Sequence, residues 1–300
     1  MNSAHQPLRG VRVLSLALNL PGPAALMRLH AMGATCIKLE PLPPSAQIPT
    51  ADPMGVYKPA AYATLHQGVK IVQADLKQAA GQRVLQRWLA RTDVLLTSFR
   101  PSALRKLGLD WSSLHKAFPT LNLVRIVGAA GTRAEEPGHD LTYQAEHDLV
   151  PGLELPASLF ADMAGSLMAT EATLQALLQR ARPGRRHGQG VCLDVSLADA
   201  AAYLALPRQW GLTQPDGDVG GAHAGYRVYP CKNGRVAVAA LEPHFALRLC
   251  EAAGLPASAA KAMRKPSTHA AVAQFLAGQT RAQLERLATQ RDIPLLTLPR

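Results

Sequence analysis

The stretch LRGVRVLSLALNLPGPAALMRLHAMGATCIKLE, residues 8–40, decides the fold. An apolar run over 11–16 follows a turn at Arg9-Gly10, and Pro21-Gly22-Pro23 interrupts the chain after it. A helical spacing of apolar residues then covers 24–32, ends at Gly33 and gives way to a second apolar run over 36–39. Two strands joined by a helix form a βαβ unit, and such units build parallel sheets.

The same alternation continues outward along the chain. Further strands are predicted over 72–76, 93–96, 121–127 and 191–195, and helices over 81–91, 104–107, 157–182 and 198–206. We therefore expect an α/β fold, with a Rossmann-like large domain on a parallel sheet over 1–215. A connector rich in Gly and Asp, 216–221, marks the boundary to a smaller α+β domain over 216–300. Its clearest signal is a hairpin, with strands over 226–230 and 236–241 around an Asn-Gly turn.

Composition narrows the class of protein. The 300 residues are 48% hydrophobic and carry a formal net charge of +11, from 32 basic and 21 acidic side chains. This surplus suits a phosphorylated small molecule, a nucleic acid or a membrane face, or it is simply a basic surface. Basic residues are dispersed, and the densest cluster is Arg182, Arg185, Arg186 and His187. Because zinc-finger spacing, a basic region with heptads and a long apolar run are all absent, we expect neither nucleic acid nor membrane as partner.

Cysteine usage indicates the compartment. The four cysteines, Cys36, Cys192, Cys231 and Cys250, are far apart and form no Cys-x-x-Cys pair. Three of them lie in apolar runs, as buried free thiols do. With no signal peptide before the first strand, they indicate a cytoplasmic protein. Metal-ligand spacing, Gly-x-Gly-x-x-Gly, a Walker-type loop and Gly-x-Ser-x-Gly are all absent, so we expect no metal and no permanently bound cofactor.

Three polar residues stand out as candidates for chemistry. Asp162 interrupts an apolar run, His139 follows Pro137-Gly138 on a loop, and Glu242 ends the apolar strand over 236–241. If Asp162 is buried, desolvation raises its pKa toward the range of a general base or nucleophile. Each residue also has a plain structural interpretation. Asp162 could cap a helix beginning at Met163, His139 could bond to backbone, and Glu242 could be the polar end of a strand.

The order of the motifs resembles that of family III CoA-transferases and their 2-methylacyl-CoA racemase relatives. The matching segments are LRGVRVL (8–14), PGP (21–23), MGA (32–34), IKLE (37–40), DLK (75–77), DVLL (93–96), FRP (99–101), LGLD (107–110), GQG (188–190) and DVSLAD (194–199). They are collinear and cover nearly the whole chain. Within the family, GHDL (138–141) followed by Tyr143, and LEPHF (241–245), resemble the racemase branch.

The resemblance implies roles for these residues. Asp162 matches the catalytic aspartate, His139 the second racemase base, and Glu242 the residue that orients and tunes that base. The implied reaction inverts the α-carbon of a 2-methylacyl-CoA by two-base proton transfer. A backbone N–H near Met163 or Ala164 would stabilise the enolate oxygen. The alternatives are a CoA-transferase, in which Asp162 forms an aspartyl-CoA intermediate, and a CoA-thioester-binding homologue without turnover.

The resemblance also implies how an acyl-CoA substrate and a partner subunit are bound. Arg100 and Lys106, with the neighbouring Phe99, match positions near the adenosine and pyrophosphate of CoA, and Lys70 falls near a basic site of the family. The alternative for each of these three charges is a solvated surface position. Members form interlocked homodimers, so we expect a dimer here.

The chain departs from the family pattern at four places. The segment over 66–70 carries less positive charge, the loop over 41–50 lacks an acidic and basic pair, and 129–131 lacks an aromatic residue. The chain ends at Arg300, before the usual family length, and we expect the segment that returns to the large domain to be missing. These departures support the alternative of a CoA-thioester-binding homologue without turnover.

Overall fold

The computed structural model describes residues 6–45, 47–182 and 188–300. The chain forms two compact units, Met1–Ala205 and Leu206–Arg300. The connector predicted over 216–221 belongs to the second unit, because Arg264 donates to the Asp216 carbonyl and Arg227 donates to the Gly221 carbonyl at 3.0 Å. The boundary thus lies ten residues before the predicted position, after Ala205 rather than after residue 215. Three members of the predicted basic cluster, at positions 185–187, lie outside the described residues.

The first unit is built on a six-stranded parallel sheet. Its strands are β1 Arg12–Ser15, β2 Thr35–Glu40, β3 Lys70–Gln73, β4 Val94–Thr97, β5 Asn122–Val127 and β6 Cys192–Ser196. They are ordered β3-β2-β1-β4-β5-β6, and every neighbouring pair is parallel. This is the order of a doubly wound dinucleotide-binding fold, so the predicted α/β Rossmann-like class is confirmed.

Helices cover both faces of this sheet. They are α1 Pro21–Ala31, α2 Pro53–Tyr57, α3 Pro59–Leu65, α4 Ala79–Leu89, α5 Pro101–Lys106, α6 Trp111–Ala117, α7 Asp140–Glu146, α8 Phe160–Ala181 and α9 Leu197–Leu204. Successive strand side chains point to opposite faces. Val13 therefore joins a core with residues of α1, α8 and α9, whereas the next residue, Leu14, joins a second core with residues of α4, α5 and α6.

The second unit contains α10 Leu206–Gln209, β7 Tyr226–Cys231, β8 Gly234–Ala239, α11 Pro243–Ala252, α12 Pro266–Ala277, α13 Arg281–Arg291 and β9 Leu295–Leu298. The predicted hairpin is present as β7 and β8. The strand β9 was not predicted, and it pairs antiparallel with β8 to complete a three-stranded sheet. Val236, Leu249 and Leu284 are fully buried in the core beneath it.

Two further findings concern the described part of the chain. None of its helices combines the length and the apolar character needed to cross a bilayer. All four cysteines are free thiols.

Candidate active site

A cavity of about 340 Å³ opens at the carboxyl edge of the six-stranded sheet. The loops after β1 and β4 and the end of β5 form its floor, through Asn19, Phe99 and Gly128 among others. β1 and β4 are adjacent at the point where the strand order reverses, which is where doubly wound sheets bind their ligands. The remaining lining residues include Pro21, Pro53, Arg100, Glu136, Gly138, His139, Tyr143, Asp162 and Leu197. A volume of this size suits a small-molecule group.

Asp162 lies in the first turn of α8 and reaches this cavity. The residue is only 8% exposed. Burial raises the pKa of its carboxyl group to about 7, and the nearby charge of Asp140 adds to the effect. Its carboxyl oxygens accept no hydrogen bond from any residue that the structure describes. The group is thus placed to exchange a proton near neutral pH.

The start of α8 is stabilised by Asp140 and not by Asp162. The helix begins at Phe160, three residues after the start predicted at residue 157 and three before Met163, and its N-cap Leu159 makes no side-chain cap bond. Instead, Asp140 Oδ1 accepts the backbone N–H of Asp162 at 2.9 Å. The interpretation of Asp162 as a helix cap was therefore wrong. The expected enolate donor at Met163 is excluded too, because its N–H donates to the Leu159 carbonyl at 3.0 Å.

His139 immediately precedes α7 and lines the same cavity as Asp162. Its backbone N–H donates to Thr142 Oγ1 at 3.0 Å, and its carbonyl accepts the Thr142 backbone N–H at 2.8 Å. These two bonds fix the backbone of His139 at the helix start. The residue is exposed, so its side chain is accessible from the cavity.

Two glycines make room for Tyr143, which is buried at the wall of the cavity. A Cβ placed on Gly128 would lie 2.3 Å from the Tyr143 hydroxyl oxygen, and one on Gly138 would lie 2.5 Å from it. The phenol of Tyr143 thus occupies the space that a side chain at position 128 or 138 would need. Burial raises the pKa of Tyr143, and the Asp162 carboxylate contributes to the rise. The hydroxyl and that carboxylate therefore share one local environment.

A second cavity, of about 400 Å³, lies beside the first and shares Phe99 with it. Its lining is mainly apolar, with Leu39, Leu76 and Leu107, and Lys77 is its one basic lining residue. Arg100 lines the first cavity only, as the exposed N-cap of α5. A basic group next to adjoining polar and apolar cavities suits a ligand with phosphate and ring portions.

A sequence model described as CoA-transferase family III matches residues 8–298. The chain belongs to this family. The resemblance found in the motifs is confirmed.

Two curated members of the family illustrate its range. Alpha-methylacyl-CoA racemase of Mus musculus is 32% identical over 266 residues, which are 83% of this chain and 65% of the mouse protein. Succinyl-CoA:glutarate CoA-transferase of Mus musculus is 26% identical over 273 residues, 84% of this chain and 60% of that protein. The chain therefore spans less than two thirds of the length of these two relatives.

Among solved structures, that of Rv3272 from Mycobacterium tuberculosis matches with a TM-score of 0.80 and 23% identity, over 98% of this chain and 83% of the other. This likeness confirms the fold.

Two of the predicted family III site residues, Lys106 and Lys70, do not line the first cavity, and a third, Glu242, belongs to the second unit. Lys106 is exposed in the last turn of α5 and is not among the lining residues of either cavity. Lys70 begins β3, at the amino end of the sheet's edge strand, and its ammonium stacks 5.1 Å from the Trp88 ring centroid. Glu242 is the exposed N-cap of α11 in the second unit and makes no side-chain cap bond.

Sequence reasoning missed a group of buried charges next to the first cavity. Lys38 is fully buried on β2, forms an ion pair with Asp52 and lies 3.4 Å from a Glu40 oxygen. His66 Nε2 lies 3.1 Å from the same ammonium. Burial, and then the charge of Lys38, lowers the pKa of His66, so its ring accepts from Lys38 as a neutral imidazole. A signal existed: β2 is an inner parallel strand, where charged residues are rare unless they are paired.

Proposed function

We propose that this chain is an acyl-CoA epimerase that inverts the α-carbon of a 2-methylacyl-CoA thioester. One observation carries the proposal: His139 and Asp162 line the same cavity. A single base can remove an α-proton, but inversion needs a second group to return a proton to the other face. A transferase needs only the aspartate. The presence of an exposed histidine in the cavity of Asp162 therefore supports the epimerase.

The environment of Asp162 suits proton transfer at neutral pH. A carboxyl group with a pKa of about 7 is about half ionised at pH 7, so both its basic and acidic forms are available. When Asp162 acts as the base, its ionised form is required, and the rate in that direction should rise as the pH passes through about 7. When it acts as the acid, the rate should fall over the same range.

The enolate oxygen that forms on proton removal needs hydrogen-bond donors. The first-turn N–H groups of α7 and α8 are suitable, because the backbone N–H groups of Asp140, Phe160 and Ala161 donate to no described residue. The positive ends of the two helix dipoles add to the stabilisation of negative charge.

The CoA portion would bind beside the reacting groups. Arg100 would contact a phosphate, and the apolar second cavity, which adjoins the first at Phe99, would hold the adenine ring. Lys106 would add attraction from its exposed position in the last turn of α5. We do not extend this role to Lys70, whose ammonium is held on Trp88 at the opposite end of its strand. The reaction so described uses no resident cofactor.

The second candidate is CoA transfer through an aspartyl-CoA intermediate. The observation that favours it is the Asp162 carboxyl group itself, which is unbonded and open to the cavity. The family also contains a succinyl-CoA:glutarate CoA-transferase, with 26% identity to this chain. In this reaction His139 has no required part.

The deciding experiment follows the α-proton of (2S)-2-methylbutanoyl-CoA in D2O by NMR, with chiral analysis of the released acid. The epimerase exchanges the proton and inverts the centre, and both Asp162→Asn and His139→Gln abolish this. A transferase shows no inversion but moves CoA to a free acid acceptor, and only Asp162→Asn abolishes that. If neither reaction occurs while calorimetry shows binding of the thioester, the chain is a CoA-thioester-binding homologue.

We also propose a homodimer, supported by an apolar stripe on α8. Phe160, Met163, Leu167 and Leu178 are between 41% and 65% exposed, and the first three follow helical spacing. Large exposed apolar patches mark interaction sites in soluble proteins. Light scattering should give twice the mass of 32.0 kDa, and Leu167→Lys should shift it toward the monomer.

The free thiols support a reducing, cytoplasmic setting.

A further inference from the structure

We propose that Asn19 donates its carboxamide to the carbonyl oxygen of the bound thioester and so orients the acyl group for proton transfer. This inference rests on the proposed function, because it names the substrate atom that Asn19 contacts in the cavity of Asp162 and His139. Asn19 lies in the loop after β1 and lines that cavity.

The backbone of Asn19 is held in an unusual conformation. Its φ is 68°, in the left-handed region that few residues other than glycine adopt. Its N–H donates to Asp52 Oδ1 at 3.0 Å, and the same oxygen accepts the Met54 N–H at 2.9 Å. One carboxylate oxygen thus joins the loop after β1 to the start of α2.

Asp52 is itself immobilised by burial. It is fully buried, and its other oxygen, Oδ2, is paired with the fully buried Lys38. Moving a buried ion pair exposes uncompensated charge, so such pairs resist displacement. The position of Asn19 is therefore set by a rigid anchor rather than by the surface loop alone.

The side chain of Asn19 is oriented by Tyr57. The Tyr57 hydroxyl donates to Asn19 Oδ1, which directs the amide nitrogen away from that contact. Among the described residues, Nδ2 has no acceptor. Tyr57 is 61% exposed, so only slight desolvation raises the pKa of its hydroxyl, and the charges of Asp52 and Asp162 raise it further. The phenol bonded to Asn19 is thus within electrostatic reach of the proposed base.

The chemistry fits a donor at this place. When Asp162 takes the α-proton, the C–H electron pair forms a C=C bond and the carbonyl oxygen gains the negative charge. Return of a proton to carbon by His139 reverses that change. The amide N–H only donates a hydrogen bond, which strengthens as charge develops, and transfers no proton.

The test compares Asn19→Gly with the unmodified chain. Glycine accepts the positive φ and adds no charge, so the change removes the carboxamide and little else. Loss of one such donor lowers kcat by about 10²-fold in comparable sites. We expect that loss in α-proton exchange of (2S)-2-methylbutanoyl-CoA, while Kd for free CoA, which has no acyl carbonyl, changes less than about twofold. Tyr57→Phe, which removes only the orienting bond, should lower kcat by about fivefold.

A spectroscopic measurement separates this inference from the proposed function. In the Asp162→Asn variant, the thioester labelled with ¹³C at its carbonyl binds without turnover. Its infrared C=O band should move to lower wavenumber on binding, and adding Asn19→Gly should reverse most of that shift. A shift that depends on Asn19 supports the contact even if the unmodified chain exchanges no proton, a result that would overturn only the epimerase. An unchanged band, an unchanged kcat, or an equal loss of free-CoA affinity in Asn19→Gly would overturn the inference.

Discussion

Replacing Asp162 by Asn should stabilise the protein at alkaline pH while it removes the activity. Asn has the shape of Asp but no charge, and the Asp162 backbone bond to Asp140 is unaffected by the change. The ionised carboxylate is held in a buried site, so the folded state favours the proton and the pKa rises from an ordinary 3.8 to about 7. The unfolded chain has no such preference.

The magnitude follows from this difference. At about 1.4 kcal/mol per pKa unit, the ionised carboxylate destabilises the folded chain by about 4 kcal/mol above pH 7. Because the pKa of Asp162 is higher in the folded state, its carboxyl group costs no stability below pH 3.8, where it is protonated in both states. The loss of stability grows as pH rises and reaches its full value above pH 7. Asp162→Asn should therefore gain about 4 kcal/mol at pH 8 and about 1.5 kcal/mol at pH 5.

Urea unfolding followed by circular dichroism measures both values, at one fixed protein concentration because the chain is proposed to dimerise. Glu154→Gln, which removes an exposed carboxylate from the same unit, serves as the control and should change the free energy of unfolding by less than about 0.5 kcal/mol at either pH. Equal effects of Asp162→Asn at pH 5 and pH 8, or a loss of stability at pH 8, would refute the reasoning.

Four other substitutions test the remaining parts of the site. His139→Gln should lower α-inversion by at least about 10²-fold, as chiral analysis would show, with little change in thermal stability because the residue is exposed. Arg100→Gln should raise KM for the thioester about tenfold and leave kcat intact in steady-state kinetics. Gly138→Ala should lower the free energy of unfolding by about 1–3 kcal/mol, measured in urea, because the new Cβ would lie 2.5 Å from the Tyr143 hydroxyl. Lys38→Met should cost about 3–5 kcal/mol in the same assay, since it leaves buried carboxylates without their cation, and a loss under 1 kcal/mol would contradict the buried pairing.

Local patterns predicted most of the first unit because each strand is a short apolar run between turn signals. The start of α8 was predicted at residue 157 or, as a cap, at Met163, but lies at Phe160. The short helix α6 was missed, since seven residues show little periodicity and its clearest signal is one Asp110 cap bond to Ser113. The strand β9 was missed for a different reason. Its pairing partner β8 lies far away in sequence, and only that partner distinguishes a strand from a loop there.

The site was predictable where a residue's own neighbours in sequence decide its environment. Asp162 sits in an apolar run, and its burial and raised pKa follow from that run. Its role at the helix start depends on Asp140, which is 22 residues away and reaches it only through the fold. Asn19 and Asp52 are likewise 33 residues apart, and nothing in either local sequence indicates their hydrogen bond. Long-range polar contacts were thus the part that patterns could not supply.

The environment of Asp162 bears on which family chemistry this chain performs. A nucleophile must be ionised, so a pKa of about 7 leaves about half the carboxyl groups unreactive at neutral pH. A group that must both take and return a proton works best when its pKa lies near the working pH. Burial at the start of α8 and the adjacent charge of Asp140 therefore suit the proposed epimerisation, and they would lower the rate of a transferase only about twofold at pH 7. The same reasoning predicts the response to Asp140→Asn, which keeps an oxygen for the Asp162 N–H but removes the charge. The pKa of Asp162 should fall, the midpoint of the pH–rate profile should move to lower pH with it, and a midpoint that stays near 7 would show that Asp140 does not tune this site.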